Sequence, residues 1–135
     1  MASREQVSNL RLLPARNAAA ITTNTTTNGI EIDTQGFSSL TFAIQSATIT
    51  DGNYAILIEE TDTTGSGYAT VAAADLTVAV ASVAFIATDD NVVKKIGYTG
   101  ARRFVRLSFV STGVTTGGTL SALAILGDPS FAPAA

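Results

Sequence analysis

Between residues 29 and 127 apolar and polar side chains alternate repeatedly with a period of two, the signature of strands with one buried face. Leu40, Phe42 and Ile44 share one side of Leu40–Ile44, and Tyr54, Ile56 and Ile58 share one side of Tyr54–Ile58. Val83–Ala87, Val92–Tyr98, Arg103–Val110 and Thr119–Leu126 are further strand candidates, with Gly29–Asp33 as an opening strand and Tyr68–Ala72 as a weaker one. Asp51-Gly52 reads as the two-residue type I′ turn of a hairpin, in which both central residues take positive φ. Thr61–Gly67, ending in Thr-Gly-Ser-Gly, reads as a long flexible loop, and the Ala-rich stretch Val71–Val80 around Asp75 is the single segment with helical character. Seven or eight short strands separated by turns predict an all-β domain, a β-sandwich or jelly roll.

The three prolines stand at 14, 129 and 133, so the body is free of them. Proline cannot donate to a β-ladder and is excluded from interior strands, which suits a sheet protein bracketed by proline. Three regions follow: an extended N-terminal arm over 1–28, with a short strand near Ala18–Thr23 and the polar tract Ile21–Asn28; the sandwich over 29–127; and a tail over 128–135.

Composition narrows the chemistry. The chain has 135 residues, enough for one domain with its own core. Cysteine and histidine are absent. That removes a disulfide framework, a thiolate nucleophile, Cys-ligated zinc and an imidazole base, so an enzyme is not expected and no cofactor or metal is assigned. The net charge is −3, which disfavours direct nucleic-acid binding through whole-surface charge. The longest uncharged, mostly apolar stretch, Leu76–Thr88, is too short for a helical membrane span, which takes about 20 residues. The mixed polarity of Met1–Leu13 does not match a secretory leader.

Few residues offer chemistry of their own. Glu31 and Asp33 share a strand face, as a glycosidase-type acid and base would, but a solvated outer face is the simpler reading. Glu59 and Glu60 are adjacent and point to opposite faces. Asp89-Asp90 reads as a turn, without the further oxygen ligands that calcium needs. Gly65-Ser-Gly67 lacks the lysine of a phosphate loop. Charge placement is more informative. Five of the eight basic residues, Lys94, Lys95, Arg102, Arg103 and Arg106, lie in one stretch, and nine of the eleven acidic residues lie between Glu31 and Asp90. With Val105, Leu107 and Phe109 facing the core, Arg102, Phe104 and Arg106 line the opposite face. An aromatic between two arginines is either an interface anchor or an ordinary strand face whose Phe is covered by a loop or second sheet. The candidate contact residues are Arg102, Phe104, Arg106, Lys94 and Lys95, with Arg4, Arg11 and Arg16 from the arm.

The stretch Lys94-Lys-Ile-Gly-Tyr-Thr-Gly-Ala-Arg-Arg-Phe-Val-Arg-Leu107, followed by a Gly/Thr turn and Ser121-Ala-Leu-Ala-Ile-Leu-Gly-Asp-Pro129, resembles small structural proteins of tailed bacteriophages, among them capsid decoration (cement) proteins. The resemblance covers roughly residues 83–133. It implies a β-rich protein, made in the host cytoplasm, that sits on the outside of the capsid. It further implies a homotrimer clamping neighbouring major capsid subunits. A head–tail joining or minor tail protein is the alternative, and a carbohydrate-binding module a more distant one, given three Tyr, six Phe and no Trp.

Overall fold

The period-two segments become the long strands of two antiparallel sheets facing one another. A computed structural model describes residues 5–130. Its strands are β1 (Arg11–Ile21), β2 (Thr26–Thr27), β3 (Ile32–Asp33), β4 (Phe37–Ile49), β5 (Asn53–Thr61), β6 (Ala69–Thr70), β7 (Val93–Tyr98), β8 (Phe104–Thr112) and β9 (Gly118–Pro129). The first sheet has the order β1-β9-β4-β7; the second has β2-β8-β5-β6, with β3 also pairing β8. The fold is the β-sandwich that the alternation predicts.

The core lies between the sheets. Phe42, Ile44, Ile96, Leu120, Ala124 and Leu126 from the first meet Tyr54, Ile56, Ile58, Val105, Leu107 and Phe109 from the second, all buried. Burying one such large apolar side chain contributes roughly 1.5–3 kcal/mol.

Four expectations change. Asp51-Gly52 is not a hairpin turn, because β4 and β5 belong to different sheets. Of these two residues, Gly52 takes positive φ, at +94°, and Asp51 does not. The link is an arch between sheets, held because the Asp51 carboxylate accepts the N–H groups of Thr115, Thr116 and Gly117 from the β8–β9 connection. Residues 1–28 are extended but lie against the sandwich over their described length, and β1 takes in Ala18–Ile21 of the short strand expected near Ala18–Thr23. β1 runs antiparallel to β9 from Arg11↔Leu126 to Ile21↔Gly118, placing Ala15 and Ile21 in the core. Register shifts flank Arg16, and Pro14 sits on this edge strand, where a missing donor is tolerated. Val83–Ala87 is not a strand: Val80–Val83 is a 3-10 turn and Phe85 alone bridges Tyr54. Val71–Val80 contains only the 3-10 turn Ala73–Asp75, since its alanines bury too little to hold a longer helix.

One glycine fixes how the sheets are joined. A Cβ at Gly29 would collide with the backbone carbonyls of both Leu107 on β8 and Ala15 on β1. Beside it, Ile30 N–H donates to Ala15 O at 2.8 Å, tying the second sheet's border to β1.

Candidate interaction surfaces

The outer face of the second sheet consists of the cross-strand pairs Thr61–Phe104, Glu59–Arg106, Leu57–Ser108 and Ala55–Val110. The basic stretch meets the acidic stretch here. Arg106 pairs with Glu59 at 3.0 Å, both side chains mostly covered, and its guanidinium lies 3.8 Å from the centre of the Tyr68 ring. Arg103 grips Asp33 through two bonds of 2.9 Å, and Arg102 pairs with Asp62. Glu31 accepts from Thr64 Oγ1 at 2.6 Å, from Gly65 N–H at 2.8 Å and from the Tyr68 hydroxyl. Glu31 and Asp33 are therefore bound by separate partners rather than paired with each other, and Thr61–Gly67 is fastened rather than free. Thr61 Oγ1 further closes that loop on Ser66 O at 2.7 Å.

These contacts set the ionisation. The Thr64 and Tyr68 hydroxyls and the Gly65 amide hold the Glu31 carboxyl below its ordinary value. Arg103 does the same for Asp33, and Arg102 for Asp62. Burial, reinforced by Glu31, pushes the Tyr68 hydroxyl up to about 12. Burial also raises Tyr98, whose hydroxyl donates to Glu60 on the opposite sheet and accepts the Arg102 N–H at 3.0 Å. Glu59 and Glu60 thus face opposite ways, as their adjacency predicts.

The candidate contact residues separate. Phe104 is 8% exposed. The Arg103 guanidinium lies 4.8 Å from its ring centre, and its strand neighbours are Thr61 and Asp33, so Arg102, Phe104 and Arg106 do not form an open anchor. Lys94 turns toward the Phe85 ring, at 4.7 Å, and Asp89, at 3.3 Å. Asp89 and Asp90 close a turn, accepting the Ile86 and Ile49 N–H groups. Arg16 is half-buried 5.6 Å from the Phe109 ring centre and donates to Ala19 O. Arg11 and Lys95 are exposed. Arg4 lies outside the described residues.

The outer face of the first sheet has another character. Its register aligns Leu12–Ile125–Thr41–Gly97, then Pro14–Leu123–Ala43–Lys95, then Ser121–Gln45–Val93. Lys95 is the one charged side chain in these rows. Leu12 is 56% exposed, Val93 63% and Leu123 38%. A shallow groove bordered by Pro14, Arg16, Asn17, Val93, Ser121 and Leu123 crosses this face. None of these apolar positions was a sequence candidate. Leu123-Ala-Ile-Leu126 carries the signal, because a strand apolar at successive positions has two faces to cover, whereas alternation has one. On the second sheet's margin, Ile56, Leu57, Val71, Leu76 and Val80 line an apolar recess of about 210 Å³.

No family model matches the sequence. No curated protein matches it significantly. Among solved structures, the chain is similar to the SPBc2 prophage-derived protein YomS, with a TM-score of 0.54 and 17% identity over 94% of this chain and 100% of that one. At that identity the likeness is one of fold, and it extends over nearly the whole sandwich. A family two carbohydrate esterase from Cellvibrio japonicus aligns at a TM-score of 0.36 and 11% identity, over 95% of this chain and 36% of that one.

Proposed function

We propose that this chain is a structural part of a bacteriophage particle, seated on the capsid exterior, where it holds neighbouring major capsid subunits together. The observation that carries the reading is the open, nearly uncharged outer face of the first sheet, set against a second sheet whose charges are already engaged within the chain. Monomers seldom leave contiguous apolar patches uncovered unless something docks on them. The end-to-end likeness to a prophage-derived protein and the resemblance of residues 83–133 to phage head proteins support the setting. The sandwich itself supplies a rigid platform, and holding a shell together takes added contacts rather than turnover.

Electron microscopy of particles carrying the chain tests this directly. Copies bound regularly over the capsid surface are expected. Purified particles lacking the chain overturn the reading, and copies confined to a single ring at the portal vertex or tail select a head–tail joining or minor tail role instead.

A further inference from the structure

We infer that the apolar recess on the margin of the second sheet receives an extended, apolar segment of a major capsid subunit, which adds a short strand to β5; this rests on the adhesive reading above and gives it a second point of grip. The backbone of β5 is the first argument. Folded proteins normally cover the outward N–H and C=O groups of an edge strand. Tyr54 N–H donates to Phe85 O at 2.8 Å, and Tyr54 O accepts the Phe85 N–H at 2.9 Å. Four residues on, Ile58 O accepts the Val71 N–H at 2.9 Å. Outward groups recur at every second residue of an antiparallel strand. Ile56 N–H, Ile56 O and Ile58 N–H therefore face the same margin, and no described residue hydrogen-bonds to them there. Both residues are buried. Buried main-chain groups without partners are rare in folded proteins. These three sit at the spacing with which an added strand bonds to a sheet edge.

The recess itself is the second argument. The 71–85 loop is fastened to β5 at both ends, through Val71 and Phe85, while its middle is drawn off to β7, where Thr77 N–H donates to Gly97 O at 3.0 Å. The cover over β5 is thereby lifted at Ile56, and the space of about 210 Å³ opens there. Its lining carries no charge: Leu57, Val71, Leu76 and Val80 form the larger walls, and Thr70 is the one polar side chain. An apolar cavity of about 150 Å³ already holds benzene, so this one has room for a Leu or Phe side chain. Main-chain bonds beside a pocket for one side chain are what recognition by strand addition uses. A small apolar molecule would fill the pocket and leave the Ile56 groups unpaired. The recess shares no residue with the groove on the first sheet. One chain can thus hold one capsid subunit on the first sheet and its neighbour at β5, as bridging requires.

The test uses the full chain and particles assembled without it. Amide hydrogen exchange, compared between the free and the particle-bound chain, should slow about tenfold or more at Ile56 and Ile58 on binding, because new bonds then close those groups. Ala79→Trp plugs the recess from an exposed position on its rim. It should weaken particle binding about tenfold or more, the loss expected when one large apolar side chain is refused its pocket. Ala79→Ser leaves the recess open and should bind like the parent. Circular dichroism must match the parent in both variants, and the exchange result on the parent stands whether or not the plugged variant folds. If the chain binds particles while Ile56 and Ile58 exchange as before and Ala79→Trp binds normally, the inference falls and the adhesive reading stands. Protection of the same amides that grows with the concentration of the free chain assigns the recess to a second copy and overturns the inference. Uptake of benzene by the free parent, lost in Ala79→Trp with particle binding unchanged, assigns it to a small apolar molecule and overturns it too. A chain that does not bind particles at all overturns both readings.

Discussion

The two outer faces of this sandwich are both laid down by antiparallel strands, yet they treat their polar groups in opposite ways. On the second sheet, Arg103–Asp33, Arg106–Glu59 and Arg102–Asp62 bind strand to strand and loop to strand, and Glu31 pins the 61–68 loop. Its polar groups are spent inside the chain. On the first sheet, cross-strand rows of Leu, Ile, Thr, Ala and Val carry one lysine and no internal ion pair among the described residues. Charge density is therefore a poor guide to which face of this protein is left open. A partner docking on the second sheet would have to compete with bonds already made; on the first it displaces only water from apolar surface, which is favourable at roughly 25 cal/mol per Å².

The contrast breaks first on an aromatic. Phe104→Ala empties a site closed by Arg103, Thr61 and Asp33 and should lower unfolding free energy by about 3 kcal/mol, read by urea denaturation. Leu123→Ala on the first sheet should cost under about 1 kcal/mol, since part of that side chain is already in water. Equal costs would mean that Phe104 is no more enclosed than Leu123. Next in size is Arg106→Ala, which strips Glu59 of its partner and Tyr68 of its cation and should cost about 2 kcal/mol. A double-mutant cycle with Glu59→Gln should return a coupling near 1 kcal/mol; no coupling would make the pair incidental.

Acid should act through the second sheet as well. Glu31, Asp33 and Asp62 have carboxyl groups held below their ordinary values in the folded chain. The unfolded chain binds protons at about pH 4, so it takes them up before the folded one does. The stabilisation from these groups is complete above about pH 5 and drains away as the pH falls through 4 toward the depressed folded values. Melting temperature should hold steady from neutral pH to about 5 and drop below about 4. Glu31→Gln with Asp33→Asn should start lower and show a shallower acid limb. A limb of unchanged steepness would place the acid sensitivity elsewhere, with Asp51 on the β4–β5 arch as the next candidate.

The strands were legible because Leu40–Phe42–Ile44 and Tyr54–Ile56–Ile58 repeat at the sheet period and all six bury. Pairing was not. Asp51-Gly52 has hairpin chemistry, yet residues 115–117 compete for the Asp51 carboxylate, and local sequence does not encode a competitor some 65 positions away. Only the end of β1 was legible, as the short strand near Ala18–Thr23, because only Leu13, Ala15 and Ile21 turn inward and the two register shifts scramble their period. The charged clusters were half visible: the basic block of 94–106 and the acidic block of 31–90 are complementary in the sequence, and the fold pairs Lys94, Arg102, Arg103 and Arg106 with acids from that block. What their separation along the chain could not disclose was that they meet, leaving Phe104 covered. The open face escaped notice because Leu12, Leu123 and Val93 come from three distant segments and become neighbours only through β9 and β4.

The smallest expected effect draws the sharpest line between the faces. Lys95 is exposed on edge strand β7 and has no ion pair among the described residues, whereas Arg103, eight positions on, holds Asp33 with both arms of its guanidinium and covers Phe104. Arg103→Ala should lower the urea midpoint measurably, from the lost bidentate contact and the uncovered ring. Lys95→Ala should move unfolding free energy by under about 0.5 kcal/mol, as surface changes away from specific contacts do. Raising the salt should narrow the Arg103 difference, because that pair is half in solvent and is screened, while leaving the Lys95 difference where it was. A Lys95→Ala loss comparable to that of Arg103→Ala would mean that the first sheet's face is held by charge after all, and the division of labour between the two faces would have to be given up.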